Sequence, residues 1–395
     1  MRRATLFILA VLMSVYAAAC SQAVLPGSGQ GLEGVHATPE ARSLILFIGD
    51  GMGPEIVSIA QVYSEKARQA DLNITDLANT GRAGFVTTYS NNKLVTDSAA
   101  GATALATGTK TNNGMVGTGP DGSNLENLFE KAILDGKSVG VITTTSITDA
   151  TPAAFLAHSS ARSDEFGIGA QIVGADAVVV MGGGRDFFLP PDGGKRADGR
   201  NLVDEARAKG FDVVFDRDGL KARTGSRLLG LFAGEDMPFE EDRVAHETPS
   251  LPEMFDEALR MLTGDPDGFV LVVEGGRIDH AEHEGDLGAA LDEVFAFDTA
   301  LSHAMDYQAG DSTLTIVVTA DHDTGAPAFT ATEKGYPSAD DIEKVVGDGG
   351  FIRWLSGSHT GTMVPVFARG PGEDLFSGIR DNTDINHAIV SILGL

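Results

Sequence analysis

Between Glu274 and Asp286 the chain reads EGGRIDHAEHEGD, which places five carboxylates and two histidines on the turns after the apolar run 269–273. The chemistry these side chains share is cation binding. Imidazole nitrogens and carboxylate oxygens are donors that zinc accepts, and carboxylates gathered without a cation repel one another and are costly to desolvate. On a helix beginning near Ile278, Asp279 and His283 stand four residues apart and project from one face, while Glu282 and Glu284 turn elsewhere. A D-x-x-x-H pair alone is often an exposed ion pair. Here it follows the strand-end Glu274 and a tight Gly275-Gly276 turn, and His359, in SGSHTG ahead of an apolar strand, completes a nitrogen and oxygen set suited to zinc.

Two further apolar runs end in the same way. LILFIGDGMG delivers Asp50, and TIVVTADHDTG delivers Asp321 and His322. Taken singly, an acid after a strand is an ordinary helix cap or turn former. Three such strands bringing acids and an imidazole to one edge point instead to bound cations. The stretch KLVTDSAAGATALATG adds a nucleophile: Ser98 stands at the start of a helix of small residues, where backbone N–H groups and the helix dipole favour anions. No histidine lies near it in sequence, so a metal that lowers its pKa is the expected activator.

These residues need elements to position them. Apolar segments at 44–48, 138–143, 177–181, 269–273 and 314–319 read as strands, and 125–134 and 251–262 read as two of the helices between them. The alternation predicts an α/β fold, a large mostly parallel central sheet with helices on both faces. Ligands in such sheets sit outside the carboxyl ends of the strands.

The chain has 395 residues, 42% hydrophobic, enough for one large core, and 56 acidic against 29 basic side chains leave a net charge of −27. That charge repels nucleic acid and anionic membrane surfaces, so no nucleic-acid partner is expected. Residues 1–19 read as a signal peptide: Arg2 and Arg3, an apolar stretch too short to span a bilayer, then Ala17, Ala18 and Ala19. Cys20, the only cysteine, follows in a context like a bacterial lipoprotein box, and residues 20–40 read as a flexible tether. The expected location is therefore outside the cytoplasm, periplasmic or extracellular, with a lipid anchor at Cys20, and residues 41–395 as the catalytic domain.

The segments IGDGMG, VTDSAAGATA, DATPAAFLAHSSAR, VEGGRIDHAEHE, TADHDTG and SHTG, in this order, resemble the alkaline phosphatase family over nearly all of residues 42–395. The resemblance implies hydrolysis of small phosphate monoesters through a phosphoserine at Ser98, with two Zn2+ and one Mg2+ as cofactors. It assigns Asp279, His283 and His359 to one zinc and Asp50, Asp321 and His322 to the other. Asp50, Glu274 and Thr151 would hold magnesium, with Asp149 binding directly or through water. Arg162, at the end of a helix begun by Pro152, would grip two phosphate oxygens, and His280 would reach the phosphate through water. Asp149 matches the enterobacterial relatives, whereas His280 matches the animal enzymes. The short stretch between Asp323 and His359 implies a reduced crown over the site, and the resemblance also allows a homodimer. A catalytically inactive phosphate- or metal-binding protein is the rival reading, opposed by the intact Ser98 and Arg162. His36, His158, His246, His303 and His387 read as surface or structural residues.

Overall fold

The computed structural model describes residues 41–395 except 334 and 349. The expected signal peptide, tether, Cys20 and His36 lie outside the described residues. Among the described residues fourteen strands follow in order. They are β1 (Ser43–Gly49), β2 (Arg82–Thr87), β3 (Ser138–Ser146), β4 (Val179–Gly183), β5 (Phe211–Val214), β6 (Arg227–Leu231) and β7 (Phe269–Gly275). Then come β8 (Leu314–Thr319), β9 (Asp323–Thr324), β10 (Pro327–Phe329), β11 (Ile352–Trp354), β12 (His359–Thr360), β13 (Val364–Arg369) and β14 (Gly378–Asp381). Ten of them form one sheet in the order β14-β2-β13-β8-β1-β7-β3-β4-β6-β5. Only β13 runs against its neighbours, so the sheet is mostly parallel, as expected.

The order places β8, β1, β7 and β3 side by side, all parallel. Every residue of β1 and β7 is buried, which explains why both read as continuous apolar runs: each has helices on both faces. Phe47 of β1 shows the packing, with its ring 5.8 Å from Phe255 and 5.4 Å, edge-on, from Phe297. Truncating so buried an aromatic costs about 3–5 kcal/mol. The helix Leu251–Leu262 matches the expected one and starts with a reciprocal cap between Ser250 and Glu253. The helix expected at 125–134 begins later, at Leu128, because Asn127 and Glu130 form the same kind of box.

Candidate metal centre

Parallel register brings the strand-end acids to one edge. Ile48 stands opposite Glu274 on one side and Thr319 on the other, so Asp50, Glu274 and the Asp321-His322 pair leave neighbouring strands at one level. The helix Ser98–Thr107 closes on this edge, capped by Asp97, whose side chain accepts from the Ala100 N–H at 3.0 Å. Small residues permit the approach: a Cβ at Gly101 would lie 2.9 Å from the Asp321 carbonyl oxygen. Ser98, buried at the first position of this helix, has its Oγ 3.2 Å from His322 Nε2.

His322 Nε2 also lies 3.3 Å from Asp50 Oδ1 and 3.4 Å from Asp321 Oδ2. Both oxygens are buried without a hydrogen-bond partner, although Asp321 Oδ1 accepts from the His322 N–H at 3.0 Å. Beside this set, His283 Nε2 lies 3.4 Å from Asp279 and 3.1 Å from His359 Nε2, which is 3.6 Å from Asp279. The far nitrogens fix both rings: Nδ1 of His283 faces the Gly357 carbonyl and Nδ1 of His359 the Thr96 carbonyl, each at 3.0 Å. Nδ1 is therefore the donor in both, and the Nε2 lone pairs converge on one point with Asp279. Thr324 donates to Asp279 and holds its carboxylate. Asp279 lies within 4.8 Å of donor atoms in both sets.

The third group is all oxygen. Glu274 accepts from Thr143 and, at 3.3 Å, from Thr145, while Thr151 Oγ1 is buried without a partner. Asp149 caps the helix Ala150–Leu156 and receives Arg162 Nη2 at 2.6 Å.

The electrostatics separate these acids. Burial, with Asp321, Asp279 and Glu274 nearby, pushes Asp50 well above the usual carboxylate range. Burial raises Glu274 to about 8 and Asp321 to about 7, and it holds His322 well below its usual value, as a neutral donor. Burial raises Asp149 too, but Arg162 and the Ala150 N–H outweigh it and leave Asp149 low. The two imidazole and carboxylate sets, with the partnerless oxygens of Asp50 and Asp321, fit zinc, whereas the all-oxygen donors of Asp50, Glu274, Thr151 and Asp149, with Thr151 Oγ1 buried and partnerless, suit a hard ion such as magnesium.

Arg162 reaches this edge differently from the expectation. Its helix ends at Leu156, and Arg162 lies in the following loop, held by its N–H to the Gly114 carbonyl at 2.8 Å. Asp97 is a further member of the site: it stands 3.8 Å from Arg162 Nη1 and accepts from Gly114 N–H at 2.8 Å, joining the two loops. Its place beside Ser98 was the available signal. His280 turns Nδ1 toward Arg277 Nη1 at 2.6 Å, with Asp236 at 3.7 Å, partners no local pattern announced. The guanidinium donates there, so the neutral ring carries its proton on Nε2. His158 packs between Glu130 and the Gly117 carbonyl, and His303 pairs with Asp256.

The family model for alkaline phosphatase matches residues 41–343 and 340–395. The repressible alkaline phosphatase of Saccharomyces cerevisiae is 40% identical over 73% of this chain and 56% of its own length. The streptomycin-6-phosphate phosphatase of Streptomyces griseus is 37% identical over 90% of this chain and 91% of that protein. Among solved structures, alkaline phosphatase from Thermus thermophilus superposes with a TM-score of 0.82 at 30% identity, covering 94% of this chain and 96% of that one. The enzyme from the Antarctic bacterium TAB5 gives 0.79 at 29% identity, covering 90% and 99%.

Proposed function

The chain belongs to the alkaline phosphatase family and is a phosphoric monoester hydrolase, and from that premise we propose that it works through a phosphoserine at Ser98 with two zinc ions and one magnesium. Asp279, His283 and His359 would hold one zinc, Asp50, Asp321 and His322 the other, and Asp50, Glu274, Thr151 and Asp149 the magnesium. Bound there, the ions would supply Lewis acidity that lowers the pKa of a hydroxyl or water and offsets the charge of a phosphate dianion.

Arg162, cationic at every accessible pH, turns its fork from Asp149 to two non-bridging oxygens of the ester. Ser98 Oγ then attacks phosphorus in line: the Oγ–P bond forms, the P–O bond to the alcohol breaks, and the alcohol leaves with a proton. The first N–H groups of the helix Ser98–Thr107 face the anion that results. Water enters from the side the alcohol left, forms a new P–O bond and breaks Oγ–P, restoring Ser98 and releasing inorganic phosphate. His280, its ring fixed by Arg277, would meet the product through water.

The observation that carries this reading is the placing of Ser98 Oγ 3.2 Å from His322 Nε2 among orphaned carboxylate oxygens. The test is acid quenching with labelled phosphate and peptide mapping, alongside zinc and magnesium counts on the same sample. Label on Ser98 with two zinc and one magnesium supports the proposal; label elsewhere or none sinks it. Magnesium at the third site is supported by the TAB5 variants in which a histidine is replaced by aspartate or glutamate, whose structures carry magnesium in a site called M3. In this chain Asp149 would supply such a carboxylate natively. Export and lipid attachment at Cys20 complete the proposal, with Cys20→Ser expected to release the enzyme from membranes. Homodimer formation is read by light scattering.

A further inference from the structure

Three carboxylates that this reading leaves unused meet beside the Asp279 set. They are Glu55 in the first turn of the helix Pro54–Tyr63, Asp323 in β9 and Glu282 in the helix Arg277–Glu284. Glu282 is 0% exposed, and neither of its oxygens has a hydrogen-bond partner. The charged groups acting on it are Asp323, Asp279 and Glu55, all acidic. Asp323 is also 0% exposed. Its Oδ2 accepts from the Thr360 hydroxyl, but Oδ1 has no partner and points at Gly53, where a Cβ would lie 1.8 Å away. Glu55 lies within hydrogen-bonding reach of Asp323 and buries its Oε2 without a partner, yet the residue as a whole is only half-buried and so forms the rim.

An orphaned buried carboxylate oxygen is costly, and an acidic neighbour makes it costlier. Here three elements remote in sequence each bring one acid to the same place, and the groups around Glu282 offer it no cation. We propose that Glu55, Glu282 and Asp323 form a further divalent-cation site of calcium type. The donors are all oxygen, with no imidazole, which selects a hard ion over zinc. They are not among the compact groups of the described residues, Asp279 with His283 and His359 and Asp50 with Asp279 and His322, whose donor atoms all lie within 4.8 Å of one another. Calcium accepts such irregular geometry, filling gaps with water, and Glu55 at the rim can swing inward. The ion would tie β9 to the helix Arg277–Glu284. Thr324 of β9 donates to Asp279, and Thr360, the partner of Asp323, follows His359, so the site would hold the zinc ligands in place from behind.

Holoenzyme loaded with zinc and magnesium, cleared of excess ions, is dialysed to equilibrium against radiolabelled calcium beside Glu55→Gln and Glu282→Gln, with zinc counted in each sample. Wild type should bind one calcium per chain, each variant should bind it more than about tenfold more weakly, and zinc should be unchanged. Calcium should raise the Tm of wild type only. No calcium bound by wild type, or equal binding by wild type and Glu55→Gln, overturns the proposal and means that the acids share protons instead. Glu55→Gln, at the rim, carries the test alone if Glu282→Gln fails to fold. A zinc count other than two would overturn the catalytic reading while leaving the calcium comparison intact.

Discussion

The middle of the sheet and its far wing use the same side chains to opposite ends. In the wing around β4, β6 and β5, and where it meets the helix Leu251–Leu262, acids come with a cation from the chain itself: Arg217 pairs with Glu253, Arg223 with Glu257 and Arg200 with Glu205. Hydrogen bonds from Arg200 hold Glu205 below its usual value. At the edge formed by β8, β1 and β7, Asp50, Glu274 and Asp321 are buried without a Lys or Arg partner, and burial pushes all three up. Each of the wing acids has a guanidinium of the chain beside it, although burial still raises Glu257. Those at the edge remain for cations that arrive from outside, and the guanidinium of Arg162 is held by Asp149 and Asp97 rather than by them.

Ser98→Ala breaks the comparison hardest. If the edge exists to serve one nucleophile, kcat should fall by more than about a thousandfold while zinc content stays at the wild-type level. Single-turnover kinetics with an aryl phosphate and metal analysis of the same sample give both numbers. A fall below tenfold would mean that the metal set hydrolyses esters without Ser98.

Metal removal comes next. A carboxyl whose folded pKa lies above its unfolded value makes folding less favourable as pH rises from the unfolded value to the folded one, because only the unfolded chain has already released the proton. Glu274 spans 4.5 to about 8 and Asp321 spans 3.8 to about 7, so chelated protein should lose a few kcal/mol between pH 5 and pH 8. Bound zinc and magnesium hold the same carboxylates ionised, so the loaded protein should show little slope there. Thermal melts with and without chelator across that range decide it. Parallel slopes would show that the edge acids are not the cation ligands.

Arg162→Ala tests the guanidinium that joins the two kinds of region. A charge-assisted hydrogen bond is worth about 1.5–3 kcal/mol, so kcat/KM should drop roughly ten- to a hundredfold, with weaker inhibition by inorganic phosphate. An unchanged inhibition constant would leave Arg162 a scaffold residue, like Arg217.

Much of this edge was legible in the sequence because its ligands stand at strand ends and its strands are buried on both faces. Apolar runs ending in Asp50, Glu274 and Asp321 fix both the fold class and the side on which the acids emerge. The order β8-β1-β7-β3 was not legible, since parallel neighbours are chosen by packing between segments remote in sequence. The supports of the ligands escaped for the same reason. The carbonyls that orient His283 and His359 belong to Gly357 and Thr96, and backbone acceptors leave no mark on residue type. The resemblance implies Arg162 at the end of a helix begun by Pro152, but that helix ends at Leu156 and the position of Arg162 depends on Gly114 and Asp97. Glu282 turns to a different face from Asp279 and His283, as expected, but helix periodicity does not say that Asp323 of β9 and Glu55 meet that face and that Glu282 is buried there.

The smallest expected effect sharpens the contrast most. Arg200 and Glu205 make a bidentate pair at 2.9 and 2.6 Å, geometry as good as that of Arg162 with Asp149, yet their side chains are 43% and 39% exposed. Water screens the wing pair, and holding two long side chains in one geometry costs entropy, so a double-mutant cycle with Arg200→Ala and Glu205→Ala should give a coupling below about 1 kcal/mol that fades with salt. Turnover should not change. The same cycle on Arg162 and Asp149, whose side chains are 34% and 25% exposed, should give stronger coupling, less sensitive to salt, because the low position of Asp149 depends on that guanidinium. Equal couplings for the two pairs would mean that burial at the edge does not set its electrostatics, and the division between self-neutralised wing and cation-seeking edge would fall with it.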